Sequence, residues 1–247
     1  MLDARNTESA RIPSAIATFE VTLSDLFQRF DPLAGATAER AELDDAFALY
    51  GADRNTLLVA IEKVGKQYAR ALPKTNDEQH EARRAFDPIA EAIRGLVKQV
   101  DLIYKLAARV ADRGGRLASD EAVAAVSDRR AAAKLVKQLD EERRAAVEQM
   151  RHAAYFHRQV VWLQDRFPNA ELQDVLGLVK LVNRAEIEAA DWSLTPGRYV
   201  GVAPPEEDED FDFEQTLRDI HTELADLNKE AAELAAKIQE NFEELGA

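Results

Sequence analysis

The side chains that could do chemistry in this sequence of 247 residues are few and scattered. The chain contains no cysteine, which excludes disulfides, thiol nucleophiles and zinc sites built on thiolates. His152 and His157 lie five residues apart in a helical stretch, so they point to different faces, unlike an i, i+4 metal-binding pair. We therefore expect surface or packing roles for both histidines and no metal site.

The glycine and carboxylate patterns offer no catalytic centre either. Gly114-Gly115 does not follow a strand, so it does not match a phosphate-binding loop for a dinucleotide or for S-adenosylmethionine. The chain has 46 acidic residues, but a carboxylate pair becomes catalytic only where its surroundings separate the two pKa values. We identify no catalytic, cofactor-binding or metal-binding residue, and the sequence leaves open whether the protein belongs to an enzyme.

Negative charge is concentrated near the carboxyl end of the chain. The formal net charge is −14, of which residues 206–247 carry −12 and residues 1–205 carry −2. We therefore expect contact with DNA only indirectly, through a partner that holds the phosphate backbone. Uninterrupted apolar runs are too short to span a bilayer and the first residues lack a signal-peptide pattern, which predicts a cytoplasmic protein without membrane contact.

The spacing of apolar residues predicts a mainly α-helical fold. We interpret residues 1–12 as an N-terminal tail and residues 13–167 as a helical domain with a long antiparallel hairpin over 87–167. Because that hairpin is longer than most globular cores need, we expect part of it to project or to lie against a partner. Its first arm has a heptad seam formed by Ile89, Ile93, Leu96, Val100, Ile103, Ala107 and Val110.

A change of composition marks a small α/β element at residues 168–203. The branched stretch 174–182 predicts a strand or extended segment, and Pro196-Gly197 suits the central positions of a type II turn. We therefore expect a strand-turn element near 174–200. Arg198 and Tyr199, beside this turn, are candidates for contact with a partner or nucleic acid, or for a structural role that locks the turn.

The last segment gives the clearest signal in the sequence. An acidic linker at 204–212 precedes a predicted coiled-coil helix at 213–247, in which apolar residues alternate at intervals of four and three. The apolar stripe is only two positions wide, which is typical of a seam that binds a partner helix. The candidate partner-binding residues are Phe213, Leu217, Ile220, Leu224, Leu227, Leu234 and Ile238.

Two segments of the chain resemble one protein family. Residues 162–246, with the block LTPGRYVG at 194–201 and the acidic helix that follows, resemble the carboxyl end of the modification (M) subunit of type I restriction-modification systems. The block LDARN at 2–6 resembles the segment just after the catalytic domain of that subunit, and the helices between fit its variable helical region. The resemblance implies a subunit-assembly region that docks on the specificity (S) subunit.

Members of this family are N6-adenine DNA methyltransferases that use S-adenosylmethionine, and here the chain departs from the family. The glycine-rich cofactor loop and the Asn-Pro-Pro-Tyr/Phe motif are absent, so no catalytic or cofactor residue is carried over. The cofactor is implied only for the complete methyltransferase, for which a separate catalytic M fragment is the second expected partner.

The sequence leaves several interpretations open. The chain could be a natural split subunit, a truncated product or an excised fragment of an M subunit. An independent acidic coiled-coil scaffold that self-associates is the first alternative. An acidic DNA mimic with antirestriction activity is the second, but a mimic should spread carboxylates over its folded body rather than concentrate them in one segment.

Overall fold

A computed structural model describes residues 1–34, 38–69, 72–117 and 129–203, and eleven single positions between 217 and 239. The chain divides into two compact units, Met1–Val200 and Gly201–Ala247. The predicted mainly α-helical fold is confirmed. The helices described in the first unit are α1 (Leu2–Ser9), α2 (Ile12–Ala34), α3 (Ala38–Tyr68), α4 (Asn76–Arg84), α5 (Asp87–Leu117), α6 (Arg129–Arg166), α7 (Arg184–Ala189) and a 3-10 helix (Pro196–Arg198).

Helix α5 lies at the centre of the first unit and packs against α2, α3 and α6. Asp87 and Pro88 occupy its first turn, where a carboxylate favours the helix dipole and proline loses no hydrogen bond. All seven side chains of its predicted heptad seam are buried. Burial of each large side chain stabilises the fold by up to about 1.5–3 kcal/mol. Helices α2 and α3 cover this seam within the same unit, so the seam is not the part of the expected hairpin that projects; residues 118–128, which join its two arms, lie outside the described residues.

The apolar faces of α2, α3 and α6 complete this core. On α3, Leu43, Tyr50, Leu57 and Val64 recur at seven-residue intervals and are buried, as their spacing on one helix face requires. On α6, Leu139, Ala146, Met150 and Ala153 are buried in the same way, together with His157. The predicted packing role of His157 is thus confirmed, whereas His152 is exposed on the opposite side of α6.

The first twelve residues are not the tail that their polar sequence suggests. Helix α1 packs against α6, and its only buried side chains are Arg5 and Ser9. Gln149 of α6 donates a hydrogen bond of 2.8 Å to the backbone carbonyl of Glu8. Polar contacts, rather than an apolar stripe, therefore dock α1, which is why hydrophobic periodicity missed it.

The predicted strand-turn element near 174–200 is also corrected. Between residues 168 and 203 the structure contains one isolated bridge, between Val175 and Val179, which closes around a glycine at φ 76°. Helix α7 follows, with a capping box formed by Asn183 and Glu186. The expected type II turn at Pro196-Gly197 is a turn of 3-10 helix instead.

Candidate partner-binding site

The described positions of the last segment are helical and exposed. Four of the predicted seam residues are among them: Leu217, Ile220 and Leu224 are 55–56% exposed and Ile238 is 49% exposed. Large aliphatic side chains left half in water at seam spacing form a line that a partner helix could cover. Phe213, Leu227 and Leu234, the other three predicted contacts, lie outside the described residues.

Arg198 and Tyr199 hold the turn in which they lie. The Arg198 guanidinium donates a hydrogen bond of 3.3 Å to the backbone carbonyl of Ala190 at the end of α7. The Tyr199 hydroxyl donates to the backbone carbonyl of Ser193. Of the two roles left open by the sequence, these contacts favour the structural one, because both polar ends tie the 3-10 turn to the chain that precedes it.

Replacing Tyr199 by phenylalanine should loosen this turn without unfolding the protein. One hydrogen bond contributes about 1 kcal/mol, so we expect amide hydrogen exchange at residues 190–200 to quicken by about fivefold. Hydrogen-exchange mass spectrometry measures this, with Tyr155→Phe, at an exposed tyrosine on α6, as the matched control. Unchanged exchange in the Tyr199 variant would return this residue to the candidate binding contacts.

The segment between α6 and residue 200 has an exposed apolar surface, which no periodicity in its sequence indicates. Residues 165–203 contain no buried side chain, although the segment is rich in leucine and valine. Trp192 has a φ of 59°, a conformation that bulky side chains rarely adopt, and is 56% exposed. The large exposed apolar side chains of this surface are Leu172, Leu176, Leu178, Leu181, Trp192 and Leu194.

A buried polar cluster connects α1 with α4, α5 and α6. Arg5 is fully buried, and its guanidinium lies 4.2 Å from the centre of the Phe86 ring. The His157 ring lies 5.1 Å from the same phenylalanine and bonds the Asp87 carboxylate at 2.9 Å. Burial lowers the pKa of Arg5 to about 10, and burial and the Arg5 charge lower the pKa of His157.

This polar cluster has the character of an internal support. Within the described ranges, no group of three or more histidine, aspartate or glutamate side chains is placed to hold a metal ion. Asp87 is shared with Arg83 of α4, whose Nε lies 3.9 Å from the carboxylate. The arrangement therefore joins four helices through charge and ring contacts.

The comparisons with known proteins assign no family to the chain. No protein-family model matches it, and neither a curated protein nor a solved structure matches it. Each helix among the described residues is too short or too polar to span a lipid bilayer.

Proposed function

We propose that this chain is the subunit-assembly part of a type I restriction-modification N6-adenine DNA methyltransferase and docks on its specificity subunit. The observation that carries the proposal is the line of half-exposed aliphatic side chains, Leu217, Ile220, Leu224 and Ile238. A coiled-coil pairing with a helix of the S subunit would remove these side chains from water. The resemblance of residues 162–246 to the M subunit supplies the identity of that partner.

The exposed surface of residues 168–200 adds a second region that docking could cover. Exposed apolar patches of this kind are common at sites of protein association. Under this proposal the chain itself binds no S-adenosylmethionine, and methyl transfer to adenine belongs to a separate catalytic M fragment. DNA is then reached only through the assembled complex.

The charge distribution supports docking over DNA mimicry. Residues 1–205, which include the whole first unit, carry a net charge of only −2. The first unit therefore lacks the excess of carboxylates that would imitate a phosphate backbone. A self-associating scaffold remains the alternative, because a seam that fits an S-subunit helix could also fit a second copy. The two interpretations differ in what the chain does when it is alone.

Co-expression with a tagged type I specificity subunit tests the proposal. We expect the chain to co-purify and to elute with the S subunit in one complex, whereas the chain alone should show a mass near 27.5 kDa by light scattering. A stable homodimer that ignores the S subunit would contradict the proposal and favour the scaffold. The same samples should show no adenine methylation until a catalytic M fragment is added.

A further inference from the structure

Two sets of polar contacts hold helix α1 in place: the hydrogen bonds from Gln149 of α6 to Glu8, and those of the fully buried Arg5. Arg5 donates from Nη1 to the carbonyl of Ala82 at 3.1 Å, and from Nε and Nη2 to the side-chain oxygen of Asn6 at 3.2 and 3.0 Å. These acceptors are uncharged, so its hydrogen bonds bring no anion to the guanidinium. Because α1 buries only Ser9 besides, its docking depends on conditions inside this cluster.

The His157 ring packs against the same Phe86 ring as the Arg5 guanidinium, and His157 is 4% exposed. Its Nε2 bonds the Asp87 carboxylate, while its buried Nδ1 has no hydrogen-bond partner in the described part of the chain. A neutral imidazole that donates from Nε2 satisfies this geometry. Protonation would place an N–H without an acceptor, and a second positive charge, beside a guanidinium that is already desolvated.

The charged groups around His157 would stabilise its protonated form only weakly. The groups acting on His157 are Arg5 of α1, Arg83 of α4 and Asp87 of α5. Arg83 also bonds Asp165 of α6 at 3.0 Å, and the groups acting on Arg5 are the Tyr68 hydroxyl of α3 and the Asp87 carboxylate. Protonated His157 would therefore face two cations and one directly bonded carboxylate, and that carboxylate is 46% exposed and screened by water.

We propose that α1 is a pH-gated latch: protonation of His157 expels the Arg5 guanidinium from the cluster and releases α1 from α6. The rest of the unit stays folded, because its apolar core begins with Ile12 at the start of α2. Release lowers the cost of this second positive charge, because water then hydrates both the undocked Arg5 guanidinium and the protonated histidine. This device is independent of the assembly role proposed above.

The direction of the pH effect follows from linkage. His157 has a lowered pKa while α1 is docked, and release of α1 moves this pKa back toward the ordinary histidine value by removing the Arg5 charge and part of the burial. Docking is therefore fully favoured above pH 6.5 and weakens as the pH falls below it. One proton is taken up on release, so the docking equilibrium should fall by up to about tenfold per pH unit until the docked form also binds the proton.

Hydrogen-exchange mass spectrometry of the full chain between pH 7.5 and 5.0, corrected for the intrinsic rates, tests the latch. We expect protection of the α1 amides to drop by about tenfold or more over this range while protection of α5 holds. The His157→Gln variant, which keeps a donor for Asp87 but takes up no proton, should show α1 protection independent of pH. His221→Gln, the same change at an exposed histidine of the second unit, should behave as the unmodified chain.

A second measurement keeps the inference testable if His157→Gln fails to fold. In the Arg5→Met variant the positive neighbour is gone, so an NMR titration should find the pKa of His157 higher than in the unmodified chain. The latch is overturned if α1 protection is flat across this pH range, or if His157→Gln keeps the pH dependence. It is equally overturned if His157 titrates above pH 6.5, because protonation would then strengthen docking.

Discussion

Replacing Ile220 and Leu224 by aspartate is expected to lower the affinity for the specificity subunit by at least a hundredfold. Each side chain is already about half shielded and would otherwise gain roughly half of the 1.5–3 kcal/mol of full burial, and two carboxylates would enter an apolar seam without counterions. About 2.7 kcal/mol is enough for the hundredfold loss. Both residues are more than half exposed in the chain, so the melting temperature of the first unit should not change.

Titration calorimetry against the S subunit measures this effect, and the chain offers a closely matched control. Ala232 and Ala236 are also exposed, are spaced i, i+4 like the seam pair, and lie outside the apolar stripe. Changing both to aspartate adds the same charge to the same helix, so the affinity should change little. Equal losses for the two double variants would show that charge, rather than the seam, governs binding.

The second large effect is expected at Phe86, whose ring is fully buried between Arg5 and His157 in the polar cluster. Its replacement by alanine should reduce the free energy of unfolding by about 3–5 kcal/mol, since a large cavity opens and the arginine loses its stacking surface. A shift of 2–4 °C per kcal/mol gives a melting temperature lower by about 10 °C.

Thermal melting followed by circular dichroism measures this shift. Phe86→Leu should have a much smaller effect because it keeps most of the apolar volume. Leu172→Ala, at a side chain that is 65% exposed, should leave the melting temperature within a degree or two. A loss below about 1 kcal/mol for Phe86→Ala would mean that the cluster is not a structural support.

The sequence predicted the parts of the fold that local periodicity determines. The α5 seam from Ile89 to Val110 is fully buried, and the α6 stripe around Met150 is buried as well. In both helices the same face meets the core at every turn, so the spacing of residue types carries the information. The four described seam residues of the last segment are about half exposed, which agrees with the predicted stripe. The identity of the partner that would cover this stripe stays a prediction.

The rest of the fold depends on contacts between residues far apart in the sequence. Arg5 is buried because the Ala82 carbonyl accepts its hydrogen bond and the Phe86 ring stacks against its guanidinium. No local pattern in the polar stretch 2–9 predicts either contact. The stretch 174–182 has strand-like composition, but a strand needs a neighbour, and Val175 pairs only with Val179. The strained Trp192 backbone likewise follows from how α7 ends, which composition does not encode.

The absence of buried side chains between residues 165 and 203 has an evolutionary consequence. Core positions are constrained among homologues because a change of volume destabilises the fold, whatever the protein does. In this segment most side-chain changes would leave the fold intact, so drift should be rapid wherever nothing binds. If Trp192 or a leucine of this segment is conserved among homologues, its conservation would therefore indicate selection for binding rather than for folding.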